Sequence, residues 1–125
     1  MAKSRERSKR KITGGLYRDY RKKRKYMLAG VPTLTRLDKI KLKKIKTTGG
    51  NKKVKTLTND TANVYDSKQK KCLKLKIKKV LENPANRHFV RRNILTKGTI
   101  IETEKGKAII TSRVGQEGTI NAKLL

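Results

Sequence analysis

Cys72-Leu73-Lys74-Leu75-Lys76-Ile77-Lys78 alternates aliphatic and lysine side chains residue by residue, and Lys39-Ile40-Lys41-Leu42-Lys43 repeats the pattern. Successive side chains of an extended strand point to opposite faces, so each run sets an aliphatic face against a lysine face. That is the pattern of a half-buried strand. β-branched residues fit it, and a helix would scatter the same side chains around its circumference. Cys72, at the head of its run, reads most simply as a small buried hydrophobe.

Turn signals lie on either side of such runs. Thr47-Thr48-Gly49-Gly50-Asn51 places residues tolerant of positive φ where the chain reverses after Ile45, the composition of a hairpin tip. Glu104-Lys105-Gly106 does the same between Thr99-Ile100-Ile101-Glu102-Thr103 and Lys107-Ala108-Ile109-Ile110-Thr111, and Gly115-Gln116-Glu117-Gly118 marks a further turn before Thr119-Ile120-Asn121-Ala122. Short strands at these intervals predict an all-β fold: a small antiparallel β-barrel domain over residues 31–125, with a long basic N-terminal extension over residues 1–30.

The candidate core is Leu37, Ile40, Leu42, Ile45, Val54, Leu57, Val64, Leu73, Leu75, Ile77, Val80, Phe89, Ile94, Ile100, Ile109 and Ile120. Each contributes about 1.5–3 kcal/mol on burial before chain entropy is subtracted. A single Phe and no Trp imply an aliphatic core and argue against an aromatic platform for stacking bases.

Charge then narrows the function. The chain has 125 residues, 36 Lys+Arg against 9 Asp+Glu, and a formal net charge of +27. A field of that size calls for a polyanionic partner, and nucleic acid is the natural one. Residues 1–97 hold 32 of the basic groups and 6 of the acids, whereas residues 98–125 hold 4 and 3, so the C-terminal quarter reads as scaffold. No apolar run approaches the roughly 20 residues of a bilayer span. The basic start Met1-Ala2-Lys3-Ser4-Arg5-Glu6-Arg7 has no apolar stretch behind it, unlike a secretory signal. The expectation is a soluble protein without a membrane role. One Cys and one His allow neither a disulfide framework nor a Cys/His zinc site within one chain. The acids form no catalytic motif and no nucleotide-binding glycine pattern is present, so neither an enzyme, a cofactor nor a small-molecule substrate is expected.

Three regions are candidate nucleic-acid contacts. In the arm, Arg5, Arg7, Lys9, Arg10, Lys11, Arg18, Arg21, Lys22, Lys23, Arg24 and Lys25 are interrupted by only Glu6 and Asp19. With few apolar groups to offset chain entropy, the arm is expected to be disordered when free, and 25 extended residues would reach roughly 85 Å. Its arginines offer planar forks that bridge phosphate oxygens or stack on bases. The lysine strand faces, Lys39, Lys41 and Lys43 with Lys74, Lys76 and Lys78, lack interleaved acids. The third region is Asn83-Pro84-Ala85-Asn86-Arg87-His88-Phe89-Val90-Arg91-Arg92-Asn93, which reads as a loop. There Phe89 is expected to anchor in the core and Arg87, His88, Arg91, Arg92 and Asn93 to contact RNA, the blander alternative being that Asn83 and Asn93 cap turns.

That cluster, followed by Ile94, by Thr96-Lys97-Gly98 and by Ile101-Glu102-Thr103, resembles the eight-e family of small-subunit ribosomal proteins, and Thr111-Ser112-Arg113-Val114-Gly115-Gln116-Glu117-Gly118 continues the likeness. Upstream, Thr13-Gly14-Gly15, the block Arg21 to Lys25, Pro32 and Gly49-Gly50-Asn51 fall where that family places such elements, so the resemblance spans essentially the whole chain. It departs from the family pattern at Met27, Ala29 and Thr48. The length resembles the compact archaeal form. The resemblance implies a small β-barrel with a basic arm, bound to small-subunit ribosomal RNA beside neighbouring ribosomal proteins and located in cytoplasmic ribosomes. It adds Thr13, Gly14, Gly15, Gly49, Gly50, Asn51, Lys52 and Lys53 to the candidate RNA contacts. A ribosome-assembly factor of related sequence and a DNA-coating architectural protein remain alternatives at this point.

Overall fold

The computed structural model describes residues 8–22, 24, 26 and 30–125, in two compact units, one ending at Pro32 and one running from Thr33 to Leu125. In the second unit the elements follow as β1 (Thr35–Arg36), β2 (Lys41–Lys46), β3 (Lys52–Thr58), β4 (Thr61–Asp66), β5 (Lys71–Glu82), α1 (Arg87–Arg91), β6 (Ile94–Leu95), β7 (Ile100–Thr103), β8 (Gly106–Ile110), α2 (Val114–Glu117) and β9 (Asn121–Leu124).

Strands β4, β5, β7, β8 and β9 close in that order into the expected barrel. Every neighbouring pair is antiparallel except the closing seam, where β4 runs parallel to β9. The twelve-residue β5 can serve both β4 and β7 because its pairing shifts register between Ile77 and Lys79 and again between Val80 and Glu82. Such irregularities bend a strand and let a small sheet curl shut. A second sheet, ordered β2-β3-β1-β6, carries the lysine hairpin at one edge.

Inward positions build the core: Ala62 and Val64, Ile77 and Val80, Ile101, Ala108 and Ile110, Ala122, with Leu95, Val114 and Ile120 from the flanking segments. Ile101 and Ile110 face in, whereas Ile100 and Ile109 pair with each other on the half-buried side. Two adjacent isoleucines in each strand leave the phase open, and only pairing resolves it. The other departures have equally local causes. Leu73, Leu75 and Ile77 share the inward phase of β5, so Cys72 falls in the phase of Lys74 and Lys76 and is exposed, not buried. In β2 the alternation reverses at Lys44-Ile45. Leu42 therefore shares a face with Lys44 and Lys46, and neither face is apolar. Ile40, Leu42 and Val54 are accordingly exposed.

Buried polar groups tie the elements together, and among the described residues no buried side-chain nitrogen or oxygen lacks a hydrogen-bond partner. Thr35 Oγ1 donates to the Thr56 carbonyl at 2.7 Å, joining β1 to β3, and Thr56 Oγ1 donates to the Gly118 carbonyl, joining β3 to the end of α2. Gly118 closes α2 with φ 78°, and a Cβ there would lie 3.3 Å from the Val54 carbonyl oxygen. The segment Gly115 to Gly118, expected as a turn, is thus a single helical turn clamped onto β3.

Candidate nucleic-acid interface

The β2–β3 hairpin carries seven lysines over residues 41–58. Its tip is a 3-10 turn at Thr48–Gly50, in which Gly49 and Gly50 adopt φ of 81° and 78°, the positive values their consecutive placement calls for. Thr47 closes the tip, its amide and Oγ1 donating to the Asn51 carbonyl at 2.7 and 2.9 Å. Register then sets Lys43 directly opposite Lys55, and Lys46 opposite Lys52, with Lys53 opposite Ile45 and Lys44 opposite Val54. Lysines consequently occupy both faces, and residues 41–58 contain no acid. Like charges directly opposite one another destabilise a ladder by roughly 0.2–1 kcal/mol each.

The third candidate region is a short helix, α1, rather than a loop. Asn86 caps it, its side chain accepting from the His88 amide at 2.9 Å, and Asn93 leaves it at φ 48°, its amide donating to the Val90 carbonyl at 3.0 Å. At 100° per residue, Arg87, Arg91, His88 and Arg92 fan over an arc of about 140°, with Phe89 and Val90 on the opposite side. All four basic side chains are exposed. Val90 packs against the hydrophobic core and Phe89 is half-buried, so Val90 takes the anchoring part expected of Phe89. Beneath the helix the buried Asn83 amide donates to the Ile94 carbonyl at 3.2 Å and accepts from the Ala85 amide and the Thr96 hydroxyl. This network fixes the approach to α1 and its exit into β6.

In the first unit, residues 9–17 form a tight hairpin. Arg10 bridges to Leu16, Lys11 N donates to the Gly15 carbonyl at 2.8 Å, Tyr17 N to the Lys9 carbonyl at 2.9 Å, and Arg10 Nη1 to the Gly14 carbonyl at 2.9 Å. Thr13, Gly14 and Gly15 form its exposed tip, and Arg18, Arg21, Lys22 and Arg24 are also exposed. Arg5, Arg7, Lys23 and Lys25 lie outside the described residues.

Tyrosines are what the sequence reading passed over. Lys11 Nζ lies 5.7 Å from the centroid of the Tyr17 ring and the Arg21 guanidinium 5.1 Å from that of Tyr20, which is 88% exposed. Counting Phe and Trp alone hid them, although aromatic rings interleaved with cations are a known nucleic-acid-binding composition. Among the described residues the only ion pair is Lys79 with Glu102, at 3.3 Å.

Comparison with known proteins identifies the family. Residues 4–125 match the family model described as ribosomal protein S8e. The chain is 50% identical over 119 residues to the small ribosomal subunit protein eS8 of Nanoarchaeum equitans, covering 95% of this chain and 94% of that protein. It is 52% identical over 119 residues to the protein of the same name from Picrophilus torridus, covering 95% of both. With the Sulfolobus acidocaldarius protein of that name it shares 52% identity over 117 residues, covering 93% of this chain and 91% of the relative. The chain belongs to the ribosomal protein S8e family.

Proposed function

We propose that this protein is a structural, non-catalytic constituent of the small ribosomal subunit, resident in cytoplasmic ribosomes beside other ribosomal proteins. There it binds and stabilises small-subunit ribosomal RNA, supporting assembly and translation. The observation that carries this reading is the β2–β3 hairpin, whose facing lysine pairs, Lys43 with Lys55 and Lys46 with Lys52, have no acid on either strand. An arrangement that repels itself in the free protein is explained by a phosphate backbone that neutralises it. The α1 cluster of Arg87, His88, Arg91 and Arg92 adds arginine forks and a local contact surface. Residues 1–30 act as an RNA-binding extension that carries the 9–17 hairpin and orders fully on RNA, and residues 31–125 as the rigid docking body. Family membership and the names of the relatives support the ribosomal setting.

The test is sedimentation of salt-washed extract, with quantification of the protein across gradient fractions. Roughly one copy per mature small subunit is expected from a constituent that holds on through multiple phosphate contacts. Presence on precursor particles alone would replace this reading with that of an assembly factor. Equal competition by ribosomal RNA and duplex DNA at matched salt would favour a DNA-coating protein.

A further inference from the structure

The outer wall of the barrel carries a surface built differently from the lysine hairpin. Strand β4 is paired on both sides, and the two registers put Cys72, Tyr65 and Lys123 in one row across β5, β4 and β9, and Lys74, Asn63 and Asn121 in the next. The rows are two residues apart along β4, roughly 6.6 Å. All six side chains are exposed. In the second row Asn63 Nδ2 donates to Asn121 Oδ1 at 3.2 Å. That bond orients both amides while leaving Asn63 Oδ1 as an acceptor and Asn121 Nδ2 as a donor. In the first row Tyr65 is 40% exposed, with the small Cys72 paired on one flank and Lys123 on the other.

A neighbouring donor and acceptor are what the Watson–Crick edge of an unpaired base presents, and an exposed tyrosine face is a stacking partner for any base. In a duplex those edges are occupied, and the deep groove of A-form RNA does not admit side chains. The outward positions of β4, of β9 and of β5 from Cys72 to Lys76 include no aliphatic residue and no acid. The apolar centre of a protein–protein contact is therefore missing, while the charge suits phosphate.

We propose that this wall binds unstacked nucleobases of single-stranded RNA. One base stacks on Tyr65, an adjacent one is held at its edge by Asn63 Oδ1 and Asn121 Nδ2, and Lys74 and Lys123 neutralise the flanking phosphates. The proposal rests on the RNA-binding reading above and adds to it a site that distinguishes loops from helices. It runs against the sequence argument that the scarcity of Phe and Trp weighs against an aromatic stacking platform.

The test uses the full chain and two probes at one salt concentration: a short mixed-sequence single-stranded RNA, and the same strand annealed to its complement. Tyr65→Thr removes the ring but keeps a residue suited to a strand. It is expected to weaken single-strand binding about tenfold, the scale of a single base–ring stack, and to leave duplex binding unchanged. Tyr65→Phe should restore the wild-type affinity. The side-chain amide resonances of Asn63 and Asn121 should shift on adding the single strand and stay in place with the duplex. Equal weakening on both probes, or none on either, would overturn the proposal while leaving general RNA binding intact. Failure of the wild-type chain to bind either probe would remove both readings. Unchanged RNA affinities combined with failed incorporation into particles would assign the wall to a protein neighbour and overturn the proposal.

Discussion

Asn83 shows how one buried amide governs the presentation of charges it never touches. It is 7% exposed, and its three hydrogen bonds reach Ile94, Ala85 and Thr96. Asn83→Ala strips partners from the Ile94 carbonyl and the Ala85 amide. It is expected to lower stability by about 1–3 kcal/mol, measured as a reduced urea midpoint at constant m-value. Composition alone marked residues 83–93 as polar and turn-rich, which is true of them as a group. It does not separate Asn83 and Asn93, which shape the backbone, from Arg87, His88, Arg91 and Arg92, which face solvent. Cys72 is the opposite case. Its position in the lysine phase of the alternation already pointed outward, and the general tendency of cysteine to be buried was the wrong guide.

At the scale of elements, the role proposed for the β2–β3 hairpin sets its function against its stability. Lys43→Glu would convert the facing Lys43–Lys55 repulsion into attraction. The free protein should gain roughly 0.2–1 kcal/mol. The same variant should bind ribosomal RNA more weakly, with a log–log salt slope shallower by about one for each phosphate that is no longer neutralised. Parallel thermal melts and salt titrations check both signs, and movement of stability and affinity in the same direction would contradict the assigned role. The element reading from sequence was strongest where period two ran unbroken, as in β5, and at glycine-marked tips such as Gly49-Gly50. It failed at the phase reversal in β2, at the Ile-Ile pairs of β7 and β8, and at α1 and α2, whose four or five residues are too short to show a helical period. The two-residue strands β1 and β6 exist only through their partners, so nothing local announces them.

Across the whole molecule, net charge sets the terms of stability. With +27 on 125 residues and a single ion pair among the described ones, self-repulsion opposes the folded state. Raising salt from low to moderate ionic strength should therefore raise the melting temperature of the free protein while loosening its complex with RNA. A melting temperature that falls with added salt would show that repulsion is not the dominant electrostatic effect. The barrel itself was legible in the alternation and turn spacing; its parallel closure was not, because a seam between distant segments leaves no local mark. That seam also bears on time. Asn63 and Asn121, which meet across it, are 58 residues apart in the chain. Contacts so distant form slowly, after local hairpins, so β4 and β9 pass through folding with open edges of the kind that recruit other chains into aggregates. Lys74 and Lys76 on the strand next to one of those edges, and Lys123 within the other, would oppose such recruitment by repulsion. The charge proposed to suit the finished protein to RNA would thus also shield the unfinished one from copies of itself.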